Sequence, residues 1–301
     1  MIQEDTNFTS QDFSAKKLYG DYDTQQEIDK EYDVESAVAN FPDYINNYVR
    51  TSETTRKVLK NRITVSYGHT VMERLTVYPS ANPNAPVLVF VHGGYWKLGL
   101  GDDYDFIAMG LSLANFTVVI VTYALAPVVT IPEIVRQVRS SVAWTAKNID
   151  AHNGDPTRIF IAGHSAGGHL AAMATLTNWK EYGLSNNIIK GILAISGLYD
   201  LEPVAQTFVE PALRITADQV LSSSPLRLVV PSAIPLIVAW GSEETAAFKK
   251  QSMHYLQAWQ RAGNDGSSLI VADANHFSIL EGFLTADGYL TKAVLSLAKN
   301  S

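Results

Sequence analysis

Cysteine is absent from all 301 residues, which excludes disulfides, thiolate nucleophiles and thiolate-bound metals. Positive charge is scarce too: 23 lysines and arginines stand against 30 aspartates and glutamates, for a net charge of −7. That balance gives no electrostatic footprint for nucleic acid or an anionic membrane surface. No apolar run reaches the roughly 18 uninterrupted residues of a membrane span. The opening Met1-Ile2-Gln3-Glu4-Asp5 has neither the basic nor the apolar stretch of a secretory signal, so a cytoplasmic protein is expected. Internal repeats, low-complexity tracts and strong linkers are missing, and no residue cluster has metal-ligand spacing. Neither a cofactor nor a metal is expected.

What remains is a hydrophobic fraction of 47%, ample for a large core, on a length that α/β folds reach as one unit. Residues 1–60 carry charged and apolar residues at mostly helical spacing, and two or so helices are expected there, packed as a cap over one end of the main domain. From residue 61 to 301 strands alternate with helices. The strand candidates are Ile63–Tyr67, Glu73–Tyr78, Val87–Val91, Thr117–Tyr123, Arg158–Ala162, Gly191–Ile195, Leu236–Trp240 and Ser268–Ala272. Helical patterns lie at Pro132–Lys147, Gly168–Trp179, Ala246–Ala262 and Thr285–Lys299. Runs such as Val87–Val91 are apolar throughout, as strands buried on both faces of a parallel sheet must be. The alternation predicts a mostly parallel, doubly wound sheet. The less regular stretch from Glu202 to Pro235 reads as an insertion near the active site.

Gly163-His164-Ser165-Ala166-Gly167 sits where a strand hands over to a helix. Small residues on both sides of the serine allow a sharp turn that pushes Oγ out at the end of the sheet. A serine hydroxyl is a weak nucleophile, so the turn has chemical meaning only beside a base and an oxyanion site. His92-Gly93-Gly94-Tyr95-Trp96 follows an apolar strand, and the N–H groups of Gly94 and Tyr95 could hold an oxyanion together with that of Ala166. Three histidines follow Ser165. His169 lies on the helix that the serine opens, and His254 falls within a surface helix. His276, just beyond the last strand, is the expected base. The acid should follow the strand Leu236–Trp240, where Glu243 and Glu244 stand side by side; Glu244, three residues past the turn glycine, is preferred for orienting His276. Trp96 reads as structural packing, while Tyr95 and Tyr199 are candidates to line the substrate site. His164 and His169 flank the nucleophile without further ligands for a metal.

These strings resemble the arylformamidases (kynurenine formamidases) of α/β-hydrolase fold, close to the hormone-sensitive-lipase-like esterases. The likeness extends through Ile120-Val121-Thr122-Tyr123, Ala126-Pro127, the run Gly163–Met173, Asn178-Trp179, Ser196–Pro203, Phe248, Gln251-Ser252 and His276-Phe277. It implies an eight-stranded, mostly parallel sheet, and it carries the nucleophile to Ser165, the base to His276, the acid to Glu244 and the oxyanion hole to Gly94 and Tyr95. An aspartate often stands at the acid position, so Glu244 asks for a slightly different loop. The activity implied is hydrolysis of N-formyl-L-kynurenine or a related N-formyl arylamine, with a carboxylesterase for short-chain or aromatic esters as the alternative. A catalytically inactive binding protein would be expected to have lost one of the three groups, and all three are here. The expected partner is a small amide or ester substrate, and a homodimer is compatible with the sequence.

Overall fold

The computed structural model describes residues 18–299, so the first 17 residues of the N-terminal cap segment lie outside the described residues. One eight-stranded sheet runs in the order β1-β2-β4-β3-β5-β6-β7-β8. Its strands are β1 (Ile63–Ser66), β2 (Arg74–Tyr78), β3 (Ala85–Val91), β4 (Thr117–Thr122), β5 (Gly154–His164), β6 (Ile189–Ile195), β7 (Leu236–Gly241) and β8 (Gly266–Val271). β2 is antiparallel to both β1 and β4, and every other pairing is parallel. All eight expected strands form, within a few residues of their predicted ends. Helices pack on both faces, so β4 is buried at every position and β3 at all but one.

Chain order follows the α/β-hydrolase pattern. α1 (Gln25–Tyr32) and α2 (Phe41–Val58) precede the sheet, and α3 (Ala108–Leu113) joins β3 to β4 after a 3-10 turn at Gly101–Ile107. α4 (Ile131–Asn148) and α5 (Ala166–Thr175) flank β5. The irregular stretch after β6 holds three short helices, α6 (Leu201–Val204), α7 (Glu210–Leu213) and α8 (Ala217–Ser222). α9 (Ala246–Arg261) and α10 (Tyr289–Lys299) complete the chain. α5 stops at Thr175, short of the expected Trp179. The Thr175 and Thr177 hydroxyls donate back to the carbonyls of Ala172 and Met173 at 2.7 and 3.2 Å, competing with the helix ladder. The turn from Gly101 to Leu113 left no periodicity in the sequence because it changes helix type after two turns.

β3 sends its chain to β4 on one side while β5 lies on the other. The crevice beyond their carboxyl ends is therefore the switch point where ligands bind in open α/β sheets. α1 and α2 cover this end. They bury Ile28, Tyr32, Val34 and Tyr48 almost completely, each side chain stabilising the docked segment by roughly 1.5–3 kcal/mol. α2 is further anchored by Ser52, whose Oγ donates to the Asp103 carbonyl and accepts from Phe106 N–H, and by an Arg56–Asp105 ion pair at 2.9 Å.

Burial makes the sheet centre and its margins differ in sensitivity. Ile161, fully buried in β5, should lose about 2–5 kcal/mol as Ile161→Ala. Val71 is 87% exposed between β1 and β2, and Val71→Ala should stay within about 0.5 kcal/mol of wild type. Urea unfolding at pH 7 measures both, and an unchanged Ile161→Ala would contradict the central placement of β5.

Candidate active site

Ser165 joins β5 to α5 with φ 56° and ψ −121°, a conformation that costs a non-glycine residue of order 1–3 kcal/mol. The flanking glycine is obligatory: a Cβ on Gly163 would sit 2.0 Å from the Gly167 carbonyl. Ser165 N–H donates to the Ile195 carbonyl at 2.9 Å, tying the turn to β6. The loop after β3 is strained as well. Tyr95 and Trp96 have φ 49° and 56°, and Gly94, at φ 104°, has no room for a Cβ beside the Leu98 carbonyl. Among the described residues neither Gly94 nor Tyr95 has a partner for its N–H, and Ala166 opens α5, where the N–H groups have no intrahelical partner. Gly94 and Tyr95 line the cavity that holds Ser165, and Ala166 follows it in the chain.

His276 follows β8 on a turn shaped by Asn275, whose Oδ1 accepts from the N–H groups of Phe277 and Ser278, both at 2.9 Å. Its Nδ1 lies 3.0 Å from Glu244 Oε2. A carboxylate only accepts, so the proton sits on Nδ1 and Nε2 is left as a base. Glu244 is buried, and its other oxygen accepts from Ser196 Oγ at 2.6 Å and Gly241 N–H at 2.8 Å. Glu243 is exposed, and among the described residues its carboxylate accepts from the Ser242 hydroxyl, at 3.1 Å. Of the two adjacent glutamates, Glu244 is the one in contact with the imidazole. Ser196, at the end of β6, went unrecognised as a partner of the acid; a small polar residue at the carboxyl end of the neighbouring strand was the available signal.

Ser165, His276, Gly94, Tyr95 and His164 line one cavity of about 360 Å³. Val34, Phe41, Ile45 and Tyr48 from the N-terminal segment, with Leu98, Tyr104 and Phe277, make its walls largely apolar. Glu35 and Asp103 lie at it, and among the described residues its lining holds no lysine or arginine. Tyr199 is a correction: it does not reach this cavity. Its ring is fully buried beneath Gly197 and stacks on Tyr255 with centroids 4.3 Å apart, because the aromatic partner lies inward. Tyr95 does line the cavity, and Trp96 is fully buried in packing.

Three other histidines, all buried, are held neutral. His169 Nδ1 accepts from Trp96 Nε1 at 3.2 Å, so its Nε2–H donates to the Ser223 carbonyl at 2.7 Å. Burial pushes its pKa down to about 4. His92, stacked on Tyr123 at 4.2 Å, is likewise pushed down to about 4 by burial. His164 lies well below its ordinary value through burial and then the neighbouring His276, and its Nε2–H donates to the His276 carbonyl at 2.7 Å. His254 is exposed on α9. Among the described residues no cluster of histidine, aspartate and glutamate could hold a metal ion, and no helix is long and apolar enough to cross a membrane.

The BD-FAE family signature matches residues 75–259, more than half of the chain. A kynurenine formamidase of Danio rerio is 35% identical over 257 residues, covering 83% of this chain and 86% of that protein. Among solved structures, a Silicibacter sp. protein described as a candidate thioesterase superposes with a TM-score of 0.80 at 27% identity, over 89% of this chain and 99% of its own. The carboxylesterase EstE1, from a metagenomic library, shares the fold with a TM-score of 0.66 at 21% identity, over 83% and 95%.

The neutral histidines give the fold a pH dependence. Unfolded, His92 and His169 take a proton near 6.5; folded, they resist it to about 4. The unfolded state thus binds more protons between those values. Stability should fall as pH drops through that window, by up to about 1.4 kcal/mol per pH unit for each ring. His169→Gln, which keeps a donor for Ser223, should give a shallower slope in urea midpoints between pH 7 and 4.5. Equal slopes would contradict the assignment.

Proposed function

The chain belongs to the BD-FAE family of α/β-hydrolases, beside the kynurenine formamidases, and is a hydrolase; from that premise we propose that it cleaves N-formyl-L-kynurenine or a related N-formyl arylamine through Ser165, His276 and Glu244. The observation that carries the reading is the imidazole of His276, fixed through Nδ1 by the buried Glu244 and sharing one cavity with Ser165. Ser165 Oγ attacks the formyl carbon while His276 Nε2 takes its proton. The oxyanion settles against the N–H groups of Gly94, Tyr95 and Ala166. His276 then gives the proton to the aryl nitrogen, which leaves as the free amine. That step carries unusual weight here, because an arylamine is a poor leaving group as an anion. Water attacks the formyl-enzyme, His276 accepts its proton, and formate departs as the serine is reprotonated.

The apolar walls suit an aryl group, and the Glu35 and Asp103 carboxylates among the described lining residues can meet an ammonium such as the α-amino group of N-formyl-L-kynurenine. The same walls suit a short-chain or aromatic ester, which keeps the carboxylesterase as the second reading. Both use the same triad, and solubility of the substrate in an apolar pocket does not separate them. The acyl group and leaving-group chemistry do.

Steady-state kcat/KM for N-formyl-L-kynurenine beside p-nitrophenyl acetate and butyrate decides between them. A formamide preference that drops by about 10⁴-fold or more in Ser165→Ala is expected; ester turnover with negligible formamide cleavage would move the protein to the esterases. Glu244→Gln should lose about 10²- to 10⁴-fold in kcat, as when the carboxylate of such a triad is replaced by its amide. Glu243→Gln should stay within about twofold, as expected for an exposed carboxylate outside the machinery. The reverse pattern would transfer the acid to Glu243.

A further inference from the structure

α1 and α2 reach three of the loops assigned to catalysis, those of the base, the acid and the β3 oxyanion donors. Tyr48, on α2, donates its hydroxyl to the Phe277 carbonyl at 2.6 Å, next to His276. Thr245, next to Glu244, donates its hydroxyl to the Glu31 carbonyl at 2.7 Å. Tyr95, in the oxyanion loop, donates to the Tyr32 carbonyl. Asn275 adds a bond to the Tyr44 hydroxyl at 2.8 Å. Together these bonds tie one N-terminal segment to the base, the acid and the oxyanion donors.

The contact with the acid loop has a second part. Thr245 stands at the N-cap position of α9 yet makes no side-chain cap. The role passes to Glu31, whose Oε2 accepts from Ala247 N–H at 2.9 Å. A carboxylate at a helix N-terminus is stabilised by the unpaired N–H groups there, so α1 caps α9 from outside while the Thr245 hydroxyl is freed to hold α1. Such an arrangement fixes where α9 starts, and hence where Glu244 stands.

We propose that the segment from Gln25 to Val58 is a fixed clamp that sets the geometry of the catalytic loops, with Tyr48 and Thr245 as positioning residues, rather than a lid that opens for substrate. A lid needs a weakly held interface that can part, as moving elements come from the least stable parts of a fold. Here the interface is closed by buried Ile28, Tyr32, Val34 and Tyr48, by Ser52 and Thr55 without exposure, and by the Arg56–Asp105 pair. Substrate therefore reaches Ser165 through the mouth of the existing cavity. Hydrolysis depends on sub-ångström placement of base and oxyanion donors, so loosening a clamp lowers turnover even where the triad itself is intact.

This proposal rests on the serine hydrolase reading, and the experiment separates the two. A fluorophosphonate probe counts reactive serines in wild type and in Ser165→Ala, and kcat for p-nitrophenyl acetate is expressed per labelled site. Thr245→Val and Tyr48→Phe each remove one hydroxyl; we expect kcat per site to fall about 5- to 30-fold while KM changes less than twofold in Thr245→Val. Thr245→Ser, which keeps the hydroxyl, should recover most of the loss. Melting temperatures of the variants identify any that merely unfold, and Tyr48→Phe stands in if Thr245→Val does not fold. Unchanged or increased kcat per site in folded variants would overturn the clamp and favour a lid. Absence of labelling at Ser165 in wild type would remove the hydrolase reading itself, and the proposal with it.

Discussion

The contact between Glu244 and His276 constrains the rest of the site. A carboxylate taken out of water must be met by hydrogen bonds, or its burial costs more than it returns. Glu244 meets that demand with donors from β6 (Ser196), from the end of β7 (Gly241) and from the loop after β8 (His276). Three parallel strand ends must therefore stay in register for one side chain to be satisfied. The same demand fixes the tautomer of His276, which lines the cavity that holds Ser165. The turn from Gly241 to Glu244 is held by the Glu243 and Glu244 N–H groups, which donate to the Ala274 and Gly241 carbonyls.

Around that contact the protein keeps histidines neutral by burial and directional bonds. Trp96, His169 and the Ser223 carbonyl form a chain that joins the oxyanion loop to α5 and to the irregular stretch before β7. His164 does the same for the base loop by donating to the His276 carbonyl. The His164 ring stands with its centroid 4.6 Å from that of His276 and, being uncharged, adds no like charge beside it. The cavity walls are largely apolar and aromatic, and Phe41, Ile45 and Tyr48 of α2, with Val34 before it, supply part of them.

The eight strands were legible because a parallel sheet covered on both faces writes itself as continuous apolar runs, as at Val87–Val91 and Val118–Val121. Ser165 and the glycines around it were legible because only small residues fit so tight a turn, and His276 because it lies in the loop at the end of the last strand. Glu244 was separated from Glu243 by its spacing from Gly241. Tyr199 was misread: an aromatic residue at a strand end has no mark that says whether it faces a cavity or stacks inward on Tyr255. Tyr48 and Thr245 left no sign of their contacts, since a tyrosine or threonine hydroxyl bonds to whatever carbonyl folding brings near.

The sequence by itself determined the apolar runs of the strands, the strained serine turn and the glycine-rich loop after β3, because each is enforced by local sterics or by burial on both faces of the sheet. Only the tertiary structure decided which partners satisfy Glu244, which aromatic rings face the cavity, and how the N-terminal segment grips three catalytic loops at once. Those are contacts between residues up to 231 positions apart, and their formation depends on the packed sheet rather than on any pattern along the chain.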